Sequence, residues 1–145
     1  MTNAGHTETD PDAEVPLLVI ASCPIDKSST AALKLQGELK IKLIPNTMTA
    51  TIYGKQNIAE SFQCNYELNP AYREKLESQG LVVSGLSDNG RVRIIEVPDK
   101  RFFIGTGFLP QLNSTQENPH PMFVAYLKAA SEYSRLIPSP LRGEG

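Results

Sequence analysis

Few side chains in this sequence could carry out chemistry. The chain has two cysteines, Cys23 and Cys64, and two histidines, of which His120 lies beside a possible helix start. A cysteine acts as a nucleophile when a nearby base takes its proton, and an imidazole is the usual base. His120 could serve Cys23 in this way. We expect it instead to be a surface imidazole near a helix N-terminus, where the helix dipole disfavours the charged form.

The two cysteines each have a chemical and a structural interpretation. Cys23 follows an apolar run and is either a nucleophile or redox thiol, or a small, partly buried apolar residue, and we favour the second. The same alternatives hold for Cys64. A disulfide or redox pair between them requires Cα atoms within about 7 Å of each other. Their spacing fits no zinc pattern, so we expect no metal site and no cofactor.

A second group of candidates follows an apolar run near the C-terminus. Residues 102–108 (FFIGTGF) contain two interior glycines and predict a strand covered on both faces, deep in a sheet. In open α/β sheets, ligands bind beyond the carboxyl ends of the strands. Gln111, Asn113 and Ser114 stand there and are candidate ligand-binding residues. The alternative is an ordinary polar loop.

The remaining strands are predicted from apolar runs and alternation. Residues 38–43 alternate strictly, with lysines on one face, which indicates a half-exposed strand at a guarded edge. Asn89 and Gly90 predict an antiparallel hairpin. Asp88 and Glu96 are best explained as solvated surface, and Arg91 and Arg93 as unremarkable surface cations. The predicted strands cover residues 15–21, 33–44, 58–66, 81–85, 91–97 and 102–108.

Helix starts are indicated by asparagine followed by proline. Asn69 can cap a helix whose first residue is proline, and Gly80 can end it, so we predict a helix over residues 71–79. A turn of helix is expected near residues 49–54. The same device at Asn118 begins a last helix, whose core-facing stripe is predicted to be Phe123, Leu127 and Ala130.

Composition indicates one ordinary globular domain. The 145 residues are 40% hydrophobic and 21% charged, with a net charge of −2. Residues 1–14 are polar and acidic and predict a disordered arm, residues 15–135 the domain, and residues 136–145 a flexible tail. Without a basic stripe or an apolar run of about 20 residues, neither nucleic acid nor a membrane is an expected partner. A cytoplasmic location is expected.

The end of the predicted strand carries a family resemblance. Residues 108–111 (FLPQ) resemble the Phe-His-Pro-Glu-like motif that ends the glutamine amidotransferase domain of CTP synthase, where it supplies the His and Glu of a Cys-His-Glu triad. The resemblance implies that Leu109 and Gln111 occupy the triad positions. Leucine has no titratable atom and glutamine carries no charge, so these residues cannot perform triad chemistry.

Further stretches extend the resemblance over roughly residues 33–132. Residues 43–54 (LIPNTMTATIYG) resemble a segment of CTP synthase that ends Leu-Tyr-Gly, and residues 65–80 resemble its Tyr-x-x-Asn-Pro helix. Residues 17–23 (LLVIASC) and 64–70 (CNYELNP) resemble the bacterial family described as CTP synthase C-terminal region-related (seleno)protein. The glycine-flanked elbow that holds the nucleophile of a class I amidotransferase is not found in this chain.

The resemblance implies a fold, and the resemblance and the two cysteines together leave three alternative functions. The fold is α/β, a mixed sheet with flanking helices, corresponding to the C-terminal part of a class I glutamine amidotransferase. The preferred function is a degenerate amidotransferase-like domain without glutaminase activity that binds a small molecule or a partner. The alternatives are an enzyme of CTP biosynthesis that hydrolyses glutamine, and a thiol redox protein using Cys23 and Cys64. A missing half would favour a homodimer or a partner domain.

Overall fold

Two sheets and three α-helices make up the part of the chain that the computed structural model describes, residues 3–21, 36–63 and 65–136. The α/β class with a mixed arrangement of strands is confirmed. The small sheet has the order β1-β2-β5, and the large sheet the order β4-β3-β6-β7-β8. The strands are β1 (Ala4–His6), β2 (Val15–Ile20), β3 (Gln36–Leu43), β4 (Asn57–Gln63), β5 (Tyr66–Leu68), β6 (Val82–Ser87), β7 (Val92–Glu96) and β8 (Ile104–Thr106). The helices are α1 (Met48–Tyr53), α2 (Arg73–Glu77) and α3 (Pro121–Leu136), with 3₁₀ turns at Pro70–Tyr72 and Pro110–Asn113.

Strand β3 lies inside the large sheet and not at its edge. It pairs antiparallel with β4 on one side and with β6 on the other. Ile41 and Leu43 are buried, as the alternation predicts, while Lys40 and Lys42 are exposed on the opposite face. The prediction of an edge was wrong because lysines on one face indicate that this face meets water. They do not indicate whether the strand has neighbours on both sides.

The hairpin between β6 and β7 is confirmed. Gly90 has a φ of 74° and its N–H bonds to Ser87 O, so a tight turn is followed by a left-handed residue. Gly85 in β6 is required for packing, because a Cβ there would lie 2.8 Å from Ile94 Cγ1. Ile94 is completely buried as a result and lies in the core beneath the helices.

Strand β8 is shorter and more exposed than the sequence predicts. Only Ile104–Thr106 are extended, and they pair with β7 alone, so β8 is an edge strand of the described sheet. Phe102 leaves the strand to pack against Tyr126 of α3, with ring centroids 5.6 Å apart, and Phe103 is 50% exposed. The prediction of a strand deep in the sheet was wrong because an apolar run does not tell which of its residues leave the sheet.

Helices α1 and α3 pack together over one face of the large sheet. The core beneath them contains Ile41, Leu43, Ile58, Ile94, Phe108 and Met122. The stripe predicted on α3 was wrong: Phe123, Leu127 and Ala130 are exposed. Met122 is buried instead, and Ala125 and Ala129 are half-buried. This face lies about one residue away from the predicted stripe, and its small side chains let α3 approach α1.

The small sheet covers the other face of the large sheet through contacts of β5 with β7. β1 lies within residues 1–14, the segment expected to be disordered, and pairs parallel with β2. The pairing becomes possible because residues 7–13 form turns, in which the N–H groups of Thr9 and Asp10 bond to His6 O.

The helix start at Asn69 is confirmed, since its Oδ1 accepts the N–H of Ala71. The division into arm, domain and tail stays a prediction.

Candidate functional site

A buried carboxylate on β4 binds three side chains from three other segments. Glu60 is 3% exposed. Its Oε1 accepts the Tyr53 hydroxyl at 2.6 Å and His120 Nε2 at 3.0 Å, and its Oε2 accepts Asn113 Nδ2 at 2.8 Å. A buried carboxylate requires such donors, because the loss of water around a charge is costly. These contacts connect β4 to α1, to the 3₁₀ turn Pro110–Asn113 (the strand-end turn) and to the residue before α3.

His120 lies in the core and not at the surface, with an exposure of 3%. The surface interpretation was wrong because the ring packs against β4, where its Nε2 binds the buried carboxylate of Glu60. Its backbone N–H bonds to Ser114 Oγ, and its Nδ1 accepts the N–H of Met122 at 3.2 Å. Since Nδ1 is an acceptor, the proton lies on Nε2, which donates to Glu60.

The pair of Glu60 and His120 contains the parts of a carboxylate-oriented base. In a catalytic triad, the imidazole nitrogen that does not face the carboxylate takes the proton of the nucleophile. In His120 this nitrogen is occupied by the N–H of Met122. The second histidine, His6, is similar, because its Nδ1 accepts the N–H of Glu8 at 3.1 Å. Both imidazoles of the chain therefore have the lone pair of Nδ1 directed at a backbone donor.

The strand-end residues form a short 3₁₀ turn after Leu109. The N–H of Leu109 bonds to Ser61 O, which fixes this residue against β4. Gln111 is exposed on the turn. Asn113 binds Glu60 with its nitrogen and accepts the Ser61 hydroxyl at 2.7 Å with its oxygen. Asn113 and Ser114 therefore contribute to the internal hydrogen-bond network, and a ligand-binding role for Gln111, Asn113 and Ser114 stays a prediction.

A second buried carboxylate, Glu96, holds the start of α1. Its Oε1 accepts the N–H of Met48 at 2.9 Å, and its Oε2 accepts the N–H and the hydroxyl of Thr49 at 3.0 and 2.9 Å. Glu96 is 3% exposed, so the prediction of solvated surface was wrong. The negative charge lies at a helix N-terminus, where backbone donors are unpaired and the dipole favours an anion.

A third buried carboxylate, Glu67, lies on the opposite face of the large sheet. Arg91 Nη1 is 3.2 Å from its Oε1, and Arg93 Nη2 is 3.4 Å from its Oε2. The two arginines are therefore partners of a buried charge and not simple surface cations. The ring of His6 packs on Tyr66 beside this cluster, with centroids 4.4 Å apart.

Sequence reasoning missed these carboxylates, although a signal was available. Glu60 follows Ile58 by two residues, and Glu96 follows Ile94 by two, so each glutamate shares the face of a buried isoleucine. Side chains two apart on a strand point the same way. A charged residue in phase with the core side of a strand therefore indicates a buried charge.

Cys23 and Cys64 lie outside the described residues, so their nucleophile, redox and disulfide interpretations stay predictions. Within the described ranges, no group of three or more His, Cys, Asp or Glu side chains is placed to hold a metal ion. None of the helices in that part of the chain has the length and apolar character needed to span a membrane.

Comparison with curated proteins gives relatives named CTP synthase, although no protein-family model matches the chain. The chain is 45% identical over 102 residues to CTP synthase of Sphingopyxis alaskensis, covering 70% of this chain and 19% of that protein. For CTP synthase of Synechococcus sp. the identity is 36% over 143 residues, with 98% and 26% covered. The chain thus spans about a fifth to a quarter of the length of these relatives.

Solved structures agree with this relationship. The glutaminase domain of Trypanosoma brucei CTPS with bound acivicin superposes with a TM-score of 0.80 at 26% identity, covering 90% of this chain and 52% of that one. A GMP synthase-type protein of Thermoplasma acidophilum superposes with a TM-score of 0.56 at 15% identity, covering 82% and 50%, which supports the fold alone. This chain is therefore a class I glutamine amidotransferase-like region homologous to the C-terminal part of CTP synthases.

Proposed function

We propose that this chain is a degenerate glutamine amidotransferase-like domain that does not hydrolyse glutamine and binds a small molecule or a partner through its strand-end turn. The observation that carries the proposal is the identity of the residue at the strand end. Leu109 stands where the family motif has a histidine, and Gln111 where it has a glutamate. Neither side chain can accept a proton from a thiol at neutral pH.

The environment of the two histidines supports the same conclusion. A replacement base would need an imidazole lone pair that can approach a sulfur atom. His120 and His6 each direct the Nδ1 lone pair at a backbone N–H. His120 is also fixed on its other side by Glu60. Freeing either imidazole would therefore break an existing hydrogen bond before any proton transfer.

A binding role is supported by the surface of the strand-end turn. Gln111 is exposed there, and Leu112 is 52% exposed. A hydrogen bond from Asn113 to Glu60 fixes the turn against β4. A rigid turn with a polar and an apolar group at its surface is suited to recognition, because little conformational entropy is lost on binding. We propose that this binding takes place in the cytoplasm, the location expected from the sequence.

The decisive experiment is a glutaminase assay on the whole chain. Purified protein is incubated with L-glutamine and released glutamate is measured, beside the CTP synthase of Sphingopyxis alaskensis as a positive control. We expect no glutamate above the level in buffer. Turnover that disappears in Cys23→Ser, with unchanged circular dichroism, would contradict the proposal. Turnover that persists in Cys23→Ser but disappears in Cys64→Ser would contradict it equally.

The principal alternative is a glutaminase that acts in CTP biosynthesis. It is favoured by the names of the curated relatives and by the similarity to a solved glutaminase domain. This alternative requires a nucleophile and a base that this chain would have to supply with Cys23 or Cys64 and a released histidine. The assay above separates the two functions directly.

A thiol redox function is tested separately by titrating free thiols before and after a mild oxidant.

A further inference from the structure

A cavity of about 240 Å³ lies between the small sheet and the outer face of the large sheet. Apolar side chains from both sheets form much of its wall, namely Leu18, Leu68, Val92 and Ile95. An apolar cavity of about 150 Å³ is already large enough to hold benzene. This cavity therefore has room for an apolar molecule somewhat larger than benzene.

Gly107, which lines the cavity, leaves space that a side chain could occupy. A Cβ at this position would lie 3.5 Å from Arg93 O, its nearest neighbour among the described residues, and this is an ordinary contact distance. Gly107 is also not among the glycines of positive φ. Neither packing nor backbone conformation requires a glycine here, so the space is available to a ligand.

The lining of the cavity carries no net charge. Among the described residues, its ionised side chains are those of Glu67 and Arg93, which pair at 3.4 Å. Because the two charges cancel, a charged ligand would lose its hydration without gaining a counter-ion in the cavity. Moving a charge out of water without a partner is costly. The cavity therefore favours a neutral ligand.

His6 supplies a hydrogen-bond donor at the wall of the cavity. Its Nδ1 accepts the N–H of Glu8 at 3.1 Å, so the proton of the neutral imidazole lies on Nε2. None of the described residues accepts a hydrogen bond from this Nε2. The ring also packs on Tyr66, with centroids 4.4 Å apart, which restricts its orientation. A ligand with a carbonyl oxygen would pair this donor.

We propose that this cavity binds a small neutral carbonyl compound with an apolar body, whose oxygen accepts the Nε2–H of His6. The body packs between Leu18 of the small sheet and Ile95 of the large sheet, which line the cavity from its two sides. The site is separate from the strand-end turn at Gln111 and goes beyond the function proposed for that turn.

The test is an NMR titration of the ¹⁵N-labelled chain with acetophenone, beside benzoate, which has the same ring and a similar size but carries a charge. We expect saturable shifts of the Gly105 and Gly107 amides with acetophenone, because both residues line the cavity. Benzoate should bind at least tenfold more weakly. Equal or stronger binding of benzoate, or no saturable shift at millimolar acetophenone, would overturn the proposal.

The variant His6→Phe tests the donor, because it keeps an aromatic ring at this position and removes the Nε2–H. It should weaken the binding of acetophenone at least threefold. Isopropylbenzene has a similar shape and no acceptor oxygen, so its affinity should change less than twofold. Undiminished binding of acetophenone, or an equal loss for the two ligands, would contradict recognition of a carbonyl oxygen by His6.

Two further variants fill the cavity from opposite sides and locate the site. Gly107→Val adds a side chain beside β8, and Leu18→Trp enlarges one on β2. Each should abolish the saturable shift of the Gly105 amide, and either one retains the test if the other fails to fold. Ile20→Trp, two residues further along β2 and outside the cavity, is the matched control and should change the affinity less than twofold. Undiminished binding in a folded Gly107→Val or Leu18→Trp variant would refute the location.

Discussion

The hydrogen bond between Tyr53 and Glu60 makes one side chain sensitive to alkaline pH. Burial, reinforced by the neighbouring carboxylate, raises the pKa of Tyr53 far above its usual value. An ionised Tyr53 could no longer donate a hydrogen bond to Glu60, and it would place two negative charges next to each other, since the two oxygens are 2.6 Å apart. Folded protein therefore keeps Tyr53 protonated under conditions where the unfolded chain ionises it.

The raised pKa of Tyr53 makes the folded state less stable at alkaline pH. An unfolded tyrosine ionises near pH 10, and the folded group ionises at higher pH. The contribution of Tyr53 to stability is therefore complete below about pH 10 and is lost progressively as the pH rises further. The loss is at most about 1.4 kcal/mol per pH unit, and solvent screening of this half-buried ring reduces it.

Replacing Tyr53 by phenylalanine tests this dependence. At pH 7 we expect Tyr53→Phe to lower the free energy of unfolding by about 1–2 kcal/mol, because Glu60 loses a donor. The difference between the two proteins should shrink between pH 10 and pH 11, measured by urea unfolding. Tyr72→Phe is the control, since it removes a tyrosine hydroxyl that is not bound to Glu60. A difference that stays constant up to pH 11 would show that the pKa of Tyr53 is not raised.

At the level of the element, α1 depends on a side chain from the sheet. The helix has only six residues, and isolated helices of this length do not persist in water. Thr47 caps it locally by accepting the N–H of Ala50 at 3.1 Å. Glu96 adds three further bonds from β7, so the same carboxylate fixes the helix start and its position over the sheet.

Substituting Glu96 by glutamine should therefore destabilise the domain strongly. The amide keeps one acceptor oxygen and places an NH₂ group against donors of Met48 and Thr49. We expect a loss of about 3 kcal/mol in the free energy of unfolding, measured by urea denaturation with circular dichroism. Glu38→Gln, at an exposed position of β3, removes the same charge and should change stability by less than about 0.5 kcal/mol. Equal effects of the two substitutions would mean that Glu96 acts only through net charge.

Caps and turns, which depend on residues close together in the chain, could be predicted from the sequence. Which elements lie beside each other in the fold could not. Asn69 and Gly90 place a cap and a turn through bonds that span few residues, so their structures follow from residue type. The order of the strands and the burial of His120 depend on contacts between segments far apart in the chain. His120 meets Glu60 across 60 positions, and no local pattern indicates such a pair. The family resemblance supplied this long-range information for the fold, but not for the site.

At the scale of the whole molecule, α3 exposes several large apolar side chains in the part of the chain that the structure describes. Phe123, Val124 and Leu127 are 39%, 50% and 63% exposed on one side of this helix. Large exposed apolar patches mark interaction sites, and an edge strand such as β8, which pairs only with β7 among the described strands, is a place for further pairing. The solved glutaminase domain is about twice as long as the part that this chain matches.

We predict that the purified chain forms a homodimer through the exposed side of α3. Light scattering should give twice the chain mass of 15.9 kDa at micromolar concentration. Leu127→Glu places a charge in the apolar patch and should weaken the dimer at least tenfold, because a buried unpaired charge is costly. Gln36→Glu adds the same charge at the exposed first residue of β3 and should leave the mass measured by light scattering unchanged. A monomeric wild-type chain, or a dimer insensitive to Leu127→Glu, would exclude this interface, and the apolar side of α3 would then require a different partner.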